Sequence, residues 1–546
     1  IATSQEPGQI RDFTYDALGN LFSATHPEKG TTYYLAYDAK GNLLLMEDAA
    51  GTQFRYTYDE AGRLTLTETM IASQTVFKKL TETKYKNTEA DDPDDLHGDG
   101  ALGRPINVKA FGPQGTIAQS IRDFDYGGLN GRLSSEKSTI YTWMTGGGPP
   151  IETNYTYDNF GQLSQMVYPV PLGAGVRLPT RLNYSYTHGF LTRLDSNRQT
   201  ADPTVMSPLI TAVGYNLAGG VRSISLANGV EESIVPDIQF RPGAISVTSG
   251  SETLWDSGQY QYDGASNIIS MGGQPFVYDL IGRLTSANTT SPVDSNLSYQ
   301  QGYGYDQFGN MTMRSGAAGE TGTQGFAVDP NTNHLTTLTI GSATLPYFYN
   351  LNGSVTNDGL HAFSWDRAGR MADLRTVDNS MILASYGYDD RDYRSRMTTD
   401  GNARSMFYVR NAQGQVLTEF ARPSSLAEPQ WRKDYIYALG RHVAVVENAA
   451  PETPPSVTSS TEDYQVTLSW MGVSSPDLFG YDVYRATAAQ PENFIRLTPT
   501  PLTTTSYTSE EDPGETYRYR IAAVDDSGLT SELTTPRRIM VGDVTP

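Results

Sequence analysis

The chain has 546 residues, no cysteine and a formal net charge of -21. The charge disfavours nucleic acid and anionic membrane surfaces as partners. The missing cysteine excludes disulfides, thiolate nucleophiles and cysteine-bound zinc, and no apolar run approaches the ~20 residues of a membrane helix. With 35 Tyr, 18 Phe and 52 well-spread Gly, the chain reads as folded and rich in turns, with roughly two to four domains or one repetitive architecture. It begins at Ile1 and shows no signal peptide, which reads as a processed product or a fragment.

In chain order, the first element is a phrase, "YDALGNL" at Tyr15–Leu21. It returns at Tyr37, Tyr58, Tyr157, Tyr278 and Tyr305, the first steps being 22 and 21 residues. Variants stand at Tyr126, Tyr215, Tyr262, Tyr349, Trp365 and Tyr388. Each position has a local cause. The tyrosine ends a strand, and aromatics at i and i+2 (Tyr56 and Tyr58, Tyr155 and Tyr157, Tyr184 and Tyr186, Tyr303 and Tyr305) share one strand face. Asp16, Asp38, Asp59, Asp158, Asp279 and Asp306 open a turn by accepting bonds from backbone N–H groups. Gly19, Gly41, Gly62, Gly161, Gly282 and Gly309 take the left-handed conformation that closes a type I turn with a bulge. Leu, Ile or Val starts the next strand. The phrase encodes a β-hairpin, so residues 1–446 are expected to be almost wholly antiparallel β. The aspartates recur because the turn recurs, whereas chemistry needs one site. The tyrosine rows either hold strands together or, if exposed, stack on sugars.

Between two hairpins lies "EADDPDDLHGDG", with Asp91, Asp92, Asp94, Asp95 and Asp99 close together. Such carboxylates suit Ca²⁺, although the spacing is not that of an EF-hand, and a solvated insertion is the competing reading. No other cofactor is expected. The six histidines are scattered, and no GxSxG or phosphate-binding glycine loop occurs.

The YDxxGRL phrase resembles the YD repeat of the RHS (rearrangement hot spot) proteins, a family that includes bacterial polymorphic toxins, insecticidal toxin-complex subunits and teneurins. The resemblance covers about four fifths of the chain, and "KDYIYALGRHVAVVE" at Lys433–Glu447 is similar to the segment that closes the repeat region in bacterial members. It implies hairpins spiralling into a complete or partial hollow shell, which in toxin members encloses a C-terminal toxic polypeptide. The DPxGL self-cleavage motif of toxin members is missing; "VDPNT" at Val328–Thr332 lacks its glycine context.

At 447–456 the composition turns Pro-rich, which reads as a semi-rigid linker. Strands are expected at Gln465–Trp470, Tyr481–Ala486, Phe494–Leu497 and Tyr517–Val524. Residues 457–546 thus resemble a fibronectin type III β-sandwich, with Trp470 in its core and Tyr517 as the corner tyrosine.

The leading expectation is a non-enzymatic shell or scaffold of a secreted or surface-attached bacterial protein. Its partners would be a cargo polypeptide or neighbouring shell segments, with no nucleic acid and no membrane insertion. The alternative is a cell-surface adhesin that binds glycan or protein through exposed aromatics and the C-terminal module. A polysaccharide-active enzyme is a third reading, for which no acid/base pair stands out.

Overall fold

The computed structural model describes residues 9–87, 99–116, 118–140, 151–171, 179–198, 204–290, 298–316, 323–399, 404–422, 429–447, 451–462, 464–474, 478–491, 493–512, 515–525 and 530–541. The fold is all-β: there are 44 strands among the described residues, and helical structure there is confined to 3₁₀ turns at Asp99–Ala101 and Leu129–Gly131. The chain divides into two compact units, Ile1–Arg394 and Ser395–Pro546.

The first unit is built from hairpins. Strand Gln53–Tyr58 (QFRYTY) alternates aromatic and polar side chains and pairs with Leu64–Met70 across the turn at 59–63. The register slips between Thr57 and Tyr58. The same slip precedes Tyr15 and Tyr37, because the return strand carries one extra residue just after its leucine (Thr65, Phe22 and Leu44), a β-bulge. Strands pair in sequence order into a 27-stranded antiparallel sheet from Asp12 to Pro346. Most side chains on its strands are only half-buried, as expected of a single layer.

A twisted sheet of more than ~10 strands must curl or split. This one curls until its later strands, and the strands from Phe348 to Tyr388 of the sheet that follows it, come back against its first half. Asn333 and His334 reach Glu28, Asn352 reaches Asp48 and Ala50, and Asp390 reaches Arg122. These pairs are separated by 268 to 306 residues, so the first unit is a spiral whose second winding lies against the edge of the first.

In the second unit, strands Arg404–Arg410, Val416–Arg422, Gln430–Ala438 and Arg441–Glu447 pair consecutively. Phe407, Phe420 and Ile436 are fully buried. Two further sheets follow. One holds Thr458–Glu462, Gln465–Ser469 and Ser506–Glu510; the other holds Ile495–Arg496, Leu478–Thr487, Thr516–Asp525 and Arg537–Met540. They share a core of Val466, Leu468, Trp470, Tyr481, Tyr519 and Ile521.

Candidate functional site: the turn row and the winding seam

Each aspartate of the repeat accepts main-chain N–H groups of its own turn, and all but Asp158 also accept a side-chain donor at i+4. Asp16 Oδ1 accepts from the N–H groups of Leu18 and Asn20, both at 2.9 Å, and Oδ2 accepts from Asn20 Nδ2 at 2.9 Å. Asp38 repeats this with Lys40 and Asn42. Around Asp59 the i+4 residue is Arg63, which donates its main-chain N–H to Oδ1 and Nε–H to Oδ2. Asp158 Oδ1 accepts from Phe160 and Gln162, Asp279 from Ile281 and Arg283, and Asp306 from Phe308 and Asn310. Gly19, Gly41, Gly62, Gly161, Gly282 and Gly309 close these turns at φ of 77° to 94°, which an L side chain adopts only with strain.

Side-chain donors at i+4 hold the Asp16, Asp38 and Asp59 carboxyls below the ordinary value of 3.8. For Asp279 the Arg283 main-chain N–H is the larger cause. A carboxylate whose folded pKa is depressed adds stability above its unfolded pKa and loses it as the pH falls through the folded value. Acid titration of the melting temperature should therefore give a plateau near neutrality and a fall starting at about pH 4. A flat profile down to pH 2 would contradict it.

Tyrosine has a role that the sequence did not disclose. Tyr37 donates its hydroxyl to the carbonyl of Leu21 at 2.6 Å, and Tyr58 donates to Leu43 at 3.0 Å. Tyr305 reaches Leu284 and Tyr349 reaches Leu335, both at 2.9 Å. In each case the last tyrosine of one strand bonds the residue that restarts the chain after the preceding turn. Tyr157 and Tyr278 do likewise with Leu133 and Ile268. Burial pushes Tyr37, Tyr58 and Tyr157 above the ordinary tyrosine value, and Tyr56 to about 12. Tyr15, in the first strand, is exposed. Tyr37→Phe should cost about 1 kcal/mol, the size of one net hydrogen bond, read as a lower urea midpoint at constant slope.

Where the residue four after the turn aspartate is arginine, it completes the linkage. Arg63, Arg241, Arg283 and Arg370 pair with their own turn aspartates, Asp59, Asp237, Asp279 and Asp366. Their guanidinium carbons lie over the rings of Tyr85, Tyr262, Tyr305 and Tyr388 at 4.0 to 4.8 Å. Arg63 and Arg283 also donate to the main chain at Gly103 and Asp306. Every such turn is thereby tied to the next one by a stacked cation and a hydrogen bond.

The seam uses other groups. His334 Nε2 lies 2.6 Å from the Glu28 carbonyl, and its ring stacks on Tyr349 at 3.9 Å. Asn352 donates to Asp48 Oδ2 at 2.8 Å and accepts from Ala50 N–H at 3.0 Å. Arg122, 9% exposed, donates to both oxygens of Asp390 at 2.8 and 2.6 Å and to Glu136 at 3.1 Å. Burial works against the Arg122 charge, but Asp390 and Glu136 outweigh it and its pKa rises. Glu136, 2% exposed, is pushed up by burial.

Of the proposed Ca²⁺ ligands, Asp91, Asp92, Asp94 and Asp95 lie outside the described residues, and Asp99 opens the 3₁₀ turn at Asp99–Ala101. The turn aspartates are consumed as acceptors within their own turns. The row of turns is therefore a mechanical device: it staples hairpin to hairpin and, at the seam, winding to winding.

Residues 37–70 match the family model described as RHS Repeat and include the phrases at Tyr37 and Tyr58. The tRNA3(Ser)-specific nuclease WapA of Bacillus spizizenii is 29% identical over 110 residues, which is 19% of this chain and 4% of that protein. The Photorhabdus luminescens Tc holotoxin pore contains a chain of similar fold, with a TM-score of 0.62 at 16% identity over 96% of this chain. The crystal structure of TcdB2-TccC3 without its hypervariable C-terminal region gives 0.60 at 15%. The chain spans 24% and 26% of those two structures' chains. At these identities the likeness is one of fold.

Proposed function

We propose that this RHS-repeat chain forms part of the wall of a secreted bacterial shell that encloses a separate polypeptide and performs no catalysis itself. The observation that carries the reading is the seam. A single-layered sheet that winds until residues 268 to 306 positions apart bond each other separates one side from the other. The engagement of every turn aspartate by N–H groups of its own turn supports a structural role for the repeat. The fold likeness to toxin-complex chains supports a cargo polypeptide or neighbouring shell segments as partners.

We further propose that the repeat region runs to 446. Asn411 Oδ1 accepts from the N–H groups of Gln413 and Gln415, and Gly414 has φ 82°, which is the same turn chemistry. The Pro-rich 447–456 would then link it to a fibronectin type III-like sandwich at 457–546, a reading supported by the two sheets packed around Trp470 and Tyr481.

The absence of native cysteine makes the wall testable. Phe54→Cys and Arg55→Cys place single thiols on opposite faces of one strand. A wall predicts that a small maleimide labels both, while a bulky polymer-linked maleimide labels only one. Equal labelling of both by the bulky reagent would refute enclosure.

A further inference from the structure

We propose that the free turn edge of the first unit docks on the opposite edge of a second copy of this chain, repeating between molecules the contact that the seam makes within one. The proposal rests on the reading of the sheet as a wall and names the neighbour of that wall. Successive strands of this unit are antiparallel, so the repeat turns line one edge and the connections between repeats line the other. At the seam the two edges meet. Asn352, two residues after the turn-opening Asn350, bonds Asp48 and Ala50 on a connection of the first winding. Asp390, one residue after the turn-opening Asp389, accepts two bonds from Arg122. These contacts are made by the corner residues of a turn, one and two positions after its opening Asp or Asn.

On the turns opened by Asp158, Asn216, Asp237 and Asp279 the same corners are apolar. Phe160, Leu217, Ile238, Leu280 and Ile281 are each at least 74% exposed. They stand on four of six successive turns along this edge, with about 10 Å, two strand spacings, from one turn to the next. Turn chemistry does not ask for them, since Lys40, Glu60 and Gln307 fill equivalent corners elsewhere. Exposed apolar residues that stand singly need no account, but a contiguous row marks an interaction surface.

The chain itself carries the matching surface. On the opposite edge of the second winding, the connections at 358–360 and 377–381 expose Leu360, Val377 and Met381. Charge favours the same pairing. Two copies, each with a net charge of -21, repel. No corner residue of the turns opened by Asp158, Asn216, Asp237, Asp263 and Asp279 is charged, so contact there meets the least repulsion. Joining one edge to the opposite edge is heterologous, so copies add in series instead of stopping at a two-fold dimer.

Analytical ultracentrifugation of the full chain tests this. The mass should rise with concentration, and more steeply as added salt screens the repulsion. Two double variants each spoil one edge: Leu217→Glu with Leu280→Glu on the turns, and Leu360→Glu with Met381→Glu on the connections. A charge buried at the contact should lower the association constant about tenfold or more in either variant. All four side chains are exposed, so the melting temperature should stay unchanged. An equimolar mixture of the two variants should form a complex of two copies and no larger, because each brings one intact edge. Three outcomes would overturn the proposal: a mass of one chain at every concentration, association lost only in the turn-edge variant, or a mixture that stays single. A chain that stays single while its two faces label unequally with the bulky maleimide overturns the stacking and leaves the wall. Equal labelling of a chain that stacks overturns the wall and leaves the stacking.

Discussion

Arg122→Ala should lower the stability of the first unit by about 3–5 kcal/mol, the cost of removing one partner from a buried ion cluster. Two carboxylates depend on this one guanidinium. Asp390 receives two of its hydrogen bonds and comes from the second winding, while Glu136 receives a third and belongs to the first. Glu136 Oε2 is already buried without a donor, so losing Arg122 leaves that carboxylate with no hydrogen-bonded cation and only the charge of Arg391 nearby. Burial also shields the cluster from salt, so the loss should persist at high ionic strength, unlike that of an exposed pair. Urea unfolding followed by tryptophan fluorescence measures it. The companion triple variant Arg122→Met, Glu136→Gln, Asp390→Asn removes the charges together and should recover much of the loss. An unchanged midpoint in Arg122→Ala would mean that the windings do not depend on each other at this point.

What could be read in the sequence was what acts over a few residues. Asp16 finds its acceptors' partners at i+2 and i+4, so the turn is written within a single phrase. One copy of the turn is degenerate. At 236–242 proline stands in the tyrosine slot and Phe240 occupies the glycine slot at φ 61°, yet Asp237 and Arg241 still form the i,i+4 pair. The Asp-to-Arg spacing was the signal that could have found it. The tyrosine hydroxyls were illegible for another reason: their acceptors are main-chain carbonyls one repeat back, and a carbonyl leaves no mark in composition. The seam was hidden more completely, because Arg122 and Asp390 are brought together only by the accumulated curl of the whole sheet. In the C-terminal sandwich the apolar strands around Trp470 and Tyr519 were visible. Thr458–Glu462, Ser506–Glu510 and Arg537–Met540 were not, being short and without an alternating apolar pattern.

Gly353→Ala should destabilise the first unit by about 2–5 kcal/mol, combining left-handed strain with overpacking. Gly353 closes the turn after Tyr349 at φ 75°, and a Cβ there would lie 2.0 Å from the Glu28 carbonyl oxygen. That oxygen belongs to the main chain of the first winding and is already engaged by His334. Neither side can give way without opening the seam. Gly41→Ala is the control. It has the same kind of turn, φ 84°, and nothing within 4 Å of the added Cβ, so it should cost only the backbone term of about 1–2 kcal/mol. The difference between the two variants isolates the contact between windings from the chemistry of the turn. If both variants shift the urea midpoint equally, Gly353 matters only to its own hairpin. If Gly353→Ala alone also speeds proteolysis at the edge of the first winding, the seam is what keeps that edge closed.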